Sequence, residues 1–140
     1  MVIETPHSYH LLIADDNRAF RETLRELLEP TLHIYADLTI HEVDSGEAAV
    51  EYSLEVRVDI VLLDMYMHEL TGLETLRILK DQNALRPCIL ITSEATDELR
   101  RCAVEANAYS VLHKPVRRQE LCDTVVGALN DAYHDPLLGN

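Results

Sequence analysis

A doubly wound α/β domain, five parallel strands covered by helices on both faces, is the fold class this sequence predicts. Three observations carry that expectation. Short apolar runs alternate with longer amphipathic stretches, five times over, the order that gives a parallel sheet with helical crossovers. The runs are nearly all apolar rather than alternating, as strands buried on both faces require. Right-handed crossovers then leave few topologies and bring any ligand site beyond the carboxyl ends of the strands.

Taken in order, YHLLIA at 9–14 reads as the first strand. A helix follows from Asn17 to about Glu29, with Phe20, Leu24, Leu27 and Leu28 on one stripe at helical spacing. Pro30 is expected to end it, and PTLHIYAD is the connection read least easily. LTIHEV at 38–43 is the second strand, and Asp44-Ser45 caps a helix over 46–55. The third strand spans 58–63 and its helix about 70–81. CILI at 88–91 is the fourth strand, followed by a helix over about 96–107. YSVLH at 109–113 is the fifth. The last helix, about 117–133, carries Leu121, Val125, Ala128, Leu129 and Ala132 on its inner stripe. One domain over 9–133 results, with tails at 1–8 and 134–140.

Bulk properties bound what such a domain can do. With 140 residues, 47% hydrophobic and 26% charged, the chain suits one soluble domain. No apolar run approaches the roughly 20 residues of a membrane span. The start, MVIETPHSYH, lacks a basic segment leading into an apolar one, so a cytoplasmic protein is expected. Cys88, Cys102 and Cys122 are odd in number and lack CxxC spacing, which suits reduced thiols. The net charge of −13 argues against direct binding of nucleic acid or anionic membranes. It is uneven: residues 1–85 hold 17 acids and 6 bases, residues 86–140 only 8 acids and 6 bases. The pairs Arg100-Arg101 and Arg117-Arg118 read first as solvated faces.

The chemistry lies in the polar residues at the end of each apolar run. Asp15-Asp16 comes after the first, Asp64 after the third, Thr92-Ser93 after the fourth and Lys114-Pro115 after the fifth. Four strands thus deliver polar groups to one sheet edge. Three clustered carboxylates repel and raise one another's pKa, and a divalent cation removes that cost. An all-oxygen set without sulfur or a spaced histidine suits Mg2+ or Mn2+ better than Zn2+. Aspartates can act as nucleophiles toward phosphorus, and phosphoryl transfer asks mainly for positioning and charge neutralisation. Each residue also has a plainer reading. Asp15 or Asp16 could cap the helix, Asp64 could be a loop acid, Thr92 a loop cap and Lys114 a surface lysine.

In IADDNRAFRETL, DIVLLDMYMHELTGLETL, ILITSEAT and HKP, in that order, the chain resembles receiver domains of two-component response regulators. The resemblance covers about residues 9–133. It implies a flavodoxin-like fold with strand order 2-1-3-4-5. It implies Asp64 as phosphoacceptor, and Asp15, Asp16, Asp64 and the Tyr66 backbone carbonyl as Mg2+ ligands. Thr92 would be the switch hydroxyl, Lys114 the phosphate contact, and Lys114-Pro115 a cis bond. The implied activity is a phosphoacceptor signalling domain with self-catalysed phosphotransfer and slow autodephosphorylation, not an enzyme acting on other molecules. The implied partners are a histidine kinase or phosphotransfer protein and a downstream output protein. The latter would dock on the face of the fourth helix, fifth strand and fifth helix. With no output domain after the last helix, a stand-alone receiver is expected.

The chain departs from the family pattern in three respects. Val111 stands where an aromatic ring often swings inward, and a β-branched aliphatic has few rotamers. Tyr109, on the same strand face, is a candidate substitute. His68 replaces a usual proline. Tyr66 and Glu94 occupy positions that tune loss of the phosphoryl group to water. Val111 and His68 keep open a degenerate receiver that acts as a phosphorylation-independent interaction module. A phosphatase of the aspartate-nucleophile kind needs an acid two residues after its nucleophile, where this chain has Tyr66. A flavin site lacks its Ser/Thr/Gly-rich loop after the first strand.

Overall fold

The sheet grows outward from the first strand. In the computed structural model, which describes residues 8–33 and 36–133, β1 (Ser8–Ala14) pairs on one side with β2 (Asp37–Val43) and on the other with β3 (Ile60–Asp64). Beyond β3 lie β4 (Cys88–Thr92) and β5 (Ser110–His113). All pairings are parallel and the order is β2-β1-β3-β4-β5. The helices between and after them are α1 (Arg18–Leu32), α2 (Gly46–Glu55), α3 (Gly72–Gln82), α4 (Asp97–Glu105) and α5 (Arg118–Tyr133). Residues 1–7 and 134–140 of the expected tails lie outside the described residues, and Ser8 opens β1.

Period-2 alternation along each strand sends side chains to two separate cores. Leu11, Ile13, Ile60, Leu62, Ile89, Ile91 and Leu112 pack with Leu24 and Leu28 of α1 and Leu121, Val125 and Leu129 of α5. Leu12, Ala14, Val61, Leu63 and Leu90 pack with Ala49 of α2, Leu76 and Leu79 of α3 and Ala103 of α4. β3 and β4 are buried throughout, which explains their continuous apolar sequence. Asn17, Ser45, Thr71 and Thr96 each accept a backbone N–H as N-caps, so these helices start where the sequence offers a short polar side chain.

Helix α1 corrects one expectation. It runs through Pro30 to Leu32 rather than stopping near Glu29. Proline removes the N–H that would bond the Glu26 carbonyl. Arg118 of α5 takes over: its Nη2 donates to the Glu26 carbonyl at 3.4 Å and its Nε to the Leu27 carbonyl at 3.3 Å. Leu32 then sits in the core at 3% exposure, which holds the extra turn. Arg118 therefore ties two helices together, while Arg100, Arg101 and Arg117 are exposed as expected. Cys88 and Cys122 are buried and all three cysteines are free.

Candidate functional site

The carboxyl ends of β1, β3, β4 and β5 converge as the sequence predicts. Asp15 follows β1 and is 1% exposed; Asp64 ends β3 and is 7% exposed. Asp16 is exposed. Carboxylate oxygens of the three lie within 4.8 Å of one another. Lys114, just past β5, reaches across β4 to both buried acids. Its Nζ donates to Asp64 Oδ1 at 3.1 Å and to Asp15 Oδ2 at 3.4 Å. Its backbone N–H donates to the Thr92 carbonyl at 2.8 Å, which locks the ends of β4 and β5 together. The Lys114-Pro115 bond is cis. Thr92 is fully buried, and its hydroxyl accepts the Glu94 N–H at 3.1 Å.

The acids are unequally supported. Asp15 Oδ1 accepts the Asn17 N–H at 2.8 Å, and its carbonyl accepts Arg21 Nη1 at 2.7 Å. Arg21 is in turn paired with Glu42 of β2 at 3.0 Å. Asp64 has the shared ammonium. Burial pushes its pKa up first, the Asp15 charge adds to this, and Lys114 only partly opposes them. The site therefore carries more negative charge than its own cation balances. That excess, an all-oxygen donor set and mutual reach make the three aspartates fit for Mg2+.

Packing fixes the loop behind Asp64. The Gly72 N–H donates to the Met65 carbonyl at 2.8 Å. A Cβ at position 72 would lie 2.4 Å from the Asp64 carbonyl oxygen and 2.8 Å from Met65 Cα. Only glycine lets α3 start this close to the end of β3. Met67 is buried, His68 is exposed, and Glu69 takes a left-handed conformation with φ 63°.

Tyr66 and Glu94, flagged separately in the sequence, meet. The Tyr66 hydroxyl, on a ring 53% exposed, donates to Glu94 Oε2 at 3.5 Å. The pair bridges the loops after β3 and β4 at the protein surface. Val111 is partly buried against the α2–α3–α4 core. Tyr109, the candidate substitute, is not placed beside Thr92. It precedes β5 at the opposite end of the strand, level with Cys88, and its hydroxyl donates to Asp131 of α5 at 2.9 Å. Sequence reasoning missed Asn17, Phe20 and Arg21 as site neighbours. Their signal was proximity to Asp15-Asp16 on the first helical turn.

Comparisons with known proteins identify the family and the fold. Residues 11–126 match the family described as response regulator receiver domain. The chain is 34% identical over 119 residues to the transcriptional regulatory protein YdfI of Bacillus subtilis, covering 85% of this chain and 54% of that protein. It spans only 16% of the sensory/regulatory protein RpfC of Xanthomonas campestris, at 30% identity. It is 32% identical to the chemotaxis protein CheY of Halobacterium salinarum, covering 85% of this chain and 95% of that one. Among solved structures, the signal receiver domain of an HD domain-containing protein from Pseudomonas fluorescens Pf-5 superposes with a TM-score of 0.83 at 23% identity. That match covers 92% of this chain and all of the other.

Proposed function

The chain belongs to the response regulator receiver domain family, and from that premise we propose that Asp64 accepts a phosphoryl group from the phosphohistidine of a histidine kinase or phosphotransfer protein. The single observation that carries this reading is the state of Asp64. It is a carboxylate at a strand end, held by one shared ammonium and pushed toward protonation by its burial and then by Asp15. Such a group is a poised nucleophile once its surplus charge is met.

Asp15, Asp16, Asp64 and the Tyr66 carbonyl would hold Mg2+, which neutralises charge on the phosphoryl oxygens when bound. In the transfer an Asp64 oxygen forms the new P–O bond while the P–N bond breaks. The imidazole leaves with that electron pair and takes up a proton. Lys114 already touches Asp64 and can pivot from Asp15 to a phosphoryl oxygen. The Thr92 hydroxyl accepts from Glu94, which leaves its own proton to donate to the phosphoryl group. Drawing Thr92 and Lys114 toward Asp64 pulls on the ends of β4 and β5, and so repacks the α4–β5–α5 face that an output protein reads. The response is a shift between two populated arrangements of one fold. Tyr66 and Glu94 cover the acyl phosphate against water and set how slowly it is lost. The domain works in the cytoplasm through protein partners.

The test is incubation with Mg2+ and acetyl phosphate. The expected product is an acid-stable, hydroxylamine-labile adduct that is absent from Asp64→Ala. No adduct, or one that survives this substitution, refutes the reading.

One observation favours a second reading, an interaction module that does not switch: Tyr109 is engaged with Asp131, and Val111 has no ring to move. If labelling occurs and leaves partner affinity and amide-exchange protection unchanged, this second reading holds.

A further inference from the structure

We propose that Phe20 is a positioning residue for the phosphoryl transfer, its ring face serving as the seat on which the Lys114 ammonium turns. Lys114 Nζ lies 3.9 Å from the Phe20 ring centroid, while donating to Asp64 Oδ1 at 3.1 Å and Asp15 Oδ2 at 3.4 Å. The ammonium is thus enclosed by two acids and one aromatic face. These partners differ in a way that matters for the reaction. A carboxylate holds the cation through directed hydrogen bonds and competes with an incoming phosphoryl group for it. A ring face attracts the cation without accepting a directed bond, so it stabilises the ammonium over a range of orientations. The lysine can exchange Asp15 for a phosphoryl oxygen without leaving the ring.

The placement of Phe20 is tied to that of Asp15. The Asn17 N–H donates to Asp15 Oδ1 at 2.8 Å, and Asn17 Oδ1 accepts the Phe20 N–H at 3.2 Å. The contacts run in a closed circuit from Asp15 through Asn17 and Phe20 to Lys114 and back to Asp15. The first turn of α1 therefore sets an acid and the seat of its counter-ion together. Phe20 is the chain's single phenylalanine. It is half-buried against the α1–α5 core, so leucine can keep the packing while removing the ring.

This role rests on the proposed function, and the experiment separates the two. The rate of Asp64 labelling by acetyl phosphate with Mg2+ is measured for the unaltered chain, Phe20→Leu, Phe20→Tyr and Lys114→Ala, and for Phe20→Leu combined with Lys114→Ala. Proton spectra of the Lys114 ε-methylene are recorded alongside. Phe20→Leu is expected to slow labelling by about 3- to 10-fold, the range a partly desolvated cation–π contact supports. Phe20→Tyr restores the rate. The leucine has no further effect on the residual labelling of Lys114→Ala, where a merely structural loss would persist. The ε-methylene resonances lie upfield in the unaltered and tyrosine chains and lose that ring shift in the leucine variant. Full-speed labelling of Phe20→Leu, an equal fall without Lys114, or unmoved methylene resonances would each overturn the role of Phe20 alone. Failure of the unaltered chain to label overturns the proposed function and this role together.

Discussion

Strand β3 is bracketed by two aspartates, Asp59 just before its first residue and Asp64 as its last. They are equally hidden, 6% and 7% exposed, yet they are treated oppositely. Asp59 Oδ2 accepts the His10 N–H at 2.7 Å and its Oδ1 accepts Arg57 Nε at 3.1 Å. Its backbone carbonyl accepts the Tyr133 hydroxyl at 2.6 Å. Every part of that residue is used to close the amino end of the sheet. Asp64 shares one ammonium with Asp15, and burial holds its pKa up. Burial alone thus does not mark a reactive acid. What distinguishes Asp64 is burial with a single cation, shared with a second acid, as its partner; on the proposed function that leaves room for metal and phosphoryl group.

Substitutions can break this contrast, the largest effect coming from the satisfied end. Asp59→Ala strips a partner from the half-buried His10 N–H and from Arg57, and should cost about 1–3 kcal/mol in denaturant unfolding. The folded fraction should still label on Asp64, since the loss is to the frame. Mg2+ should act on the other end only. At about 100 times its dissociation constant it adds about 2.7 kcal/mol, and chelation removes this. The gain should persist in Asp59→Ala and vanish in Asp64→Ala, as thermal melts would show.

Asp64→Asn sharpens the contrast by removing the unmet charge. Without metal it should stabilise the fold by about 1 kcal/mol near neutral pH. The sign follows from the raised pKa of Asp64 in the folded chain. The folded state keeps this proton longer than the unfolded one, so this group's contribution to stability falls as pH rises through the range between the two values. The advantage of the asparagine should therefore grow from about pH 4 upward and disappear in stronger acid, measured by melts across pH. Tyr109→Phe should do least. Its hydroxyl pairs with Asp131 on an exposed surface far from Thr92, so about 0.5 kcal/mol or less is expected, with labelling unchanged. A large fall in labelling would place Tyr109 in the switch after all.

The contrast also shows what a sequence can and cannot reveal. The order of the elements and the acids at strand ends were legible, because apolar runs buried on two faces stop where a polar residue must leave the sheet. Asp64 stood out through its companions Asp15-Asp16, Thr92 and Lys114, each at the end of another run. Asp59 did not, since its burial depends on His10, 49 residues away. The extension of α1 past Pro30 was equally hidden, because the compensating donor Arg118 lies 92 residues from Glu26. For Tyr109, alternation gave a face of the strand, but a side chain at a sheet edge can turn around that edge toward α5. Phe20 read correctly as an apolar stripe residue. That its ring also meets a cation needed the position of β5.

Lys114 donates to residues made 99 and 50 positions earlier. During synthesis the three acids therefore leave the ribosome long before the cation that balances them. On the proposed function, the acceptor gains its full complement of charges only when the fifth strand has docked. Phosphorylation is in that sense also a receipt for completed folding, and a chain caught halfway has nothing ready to sign.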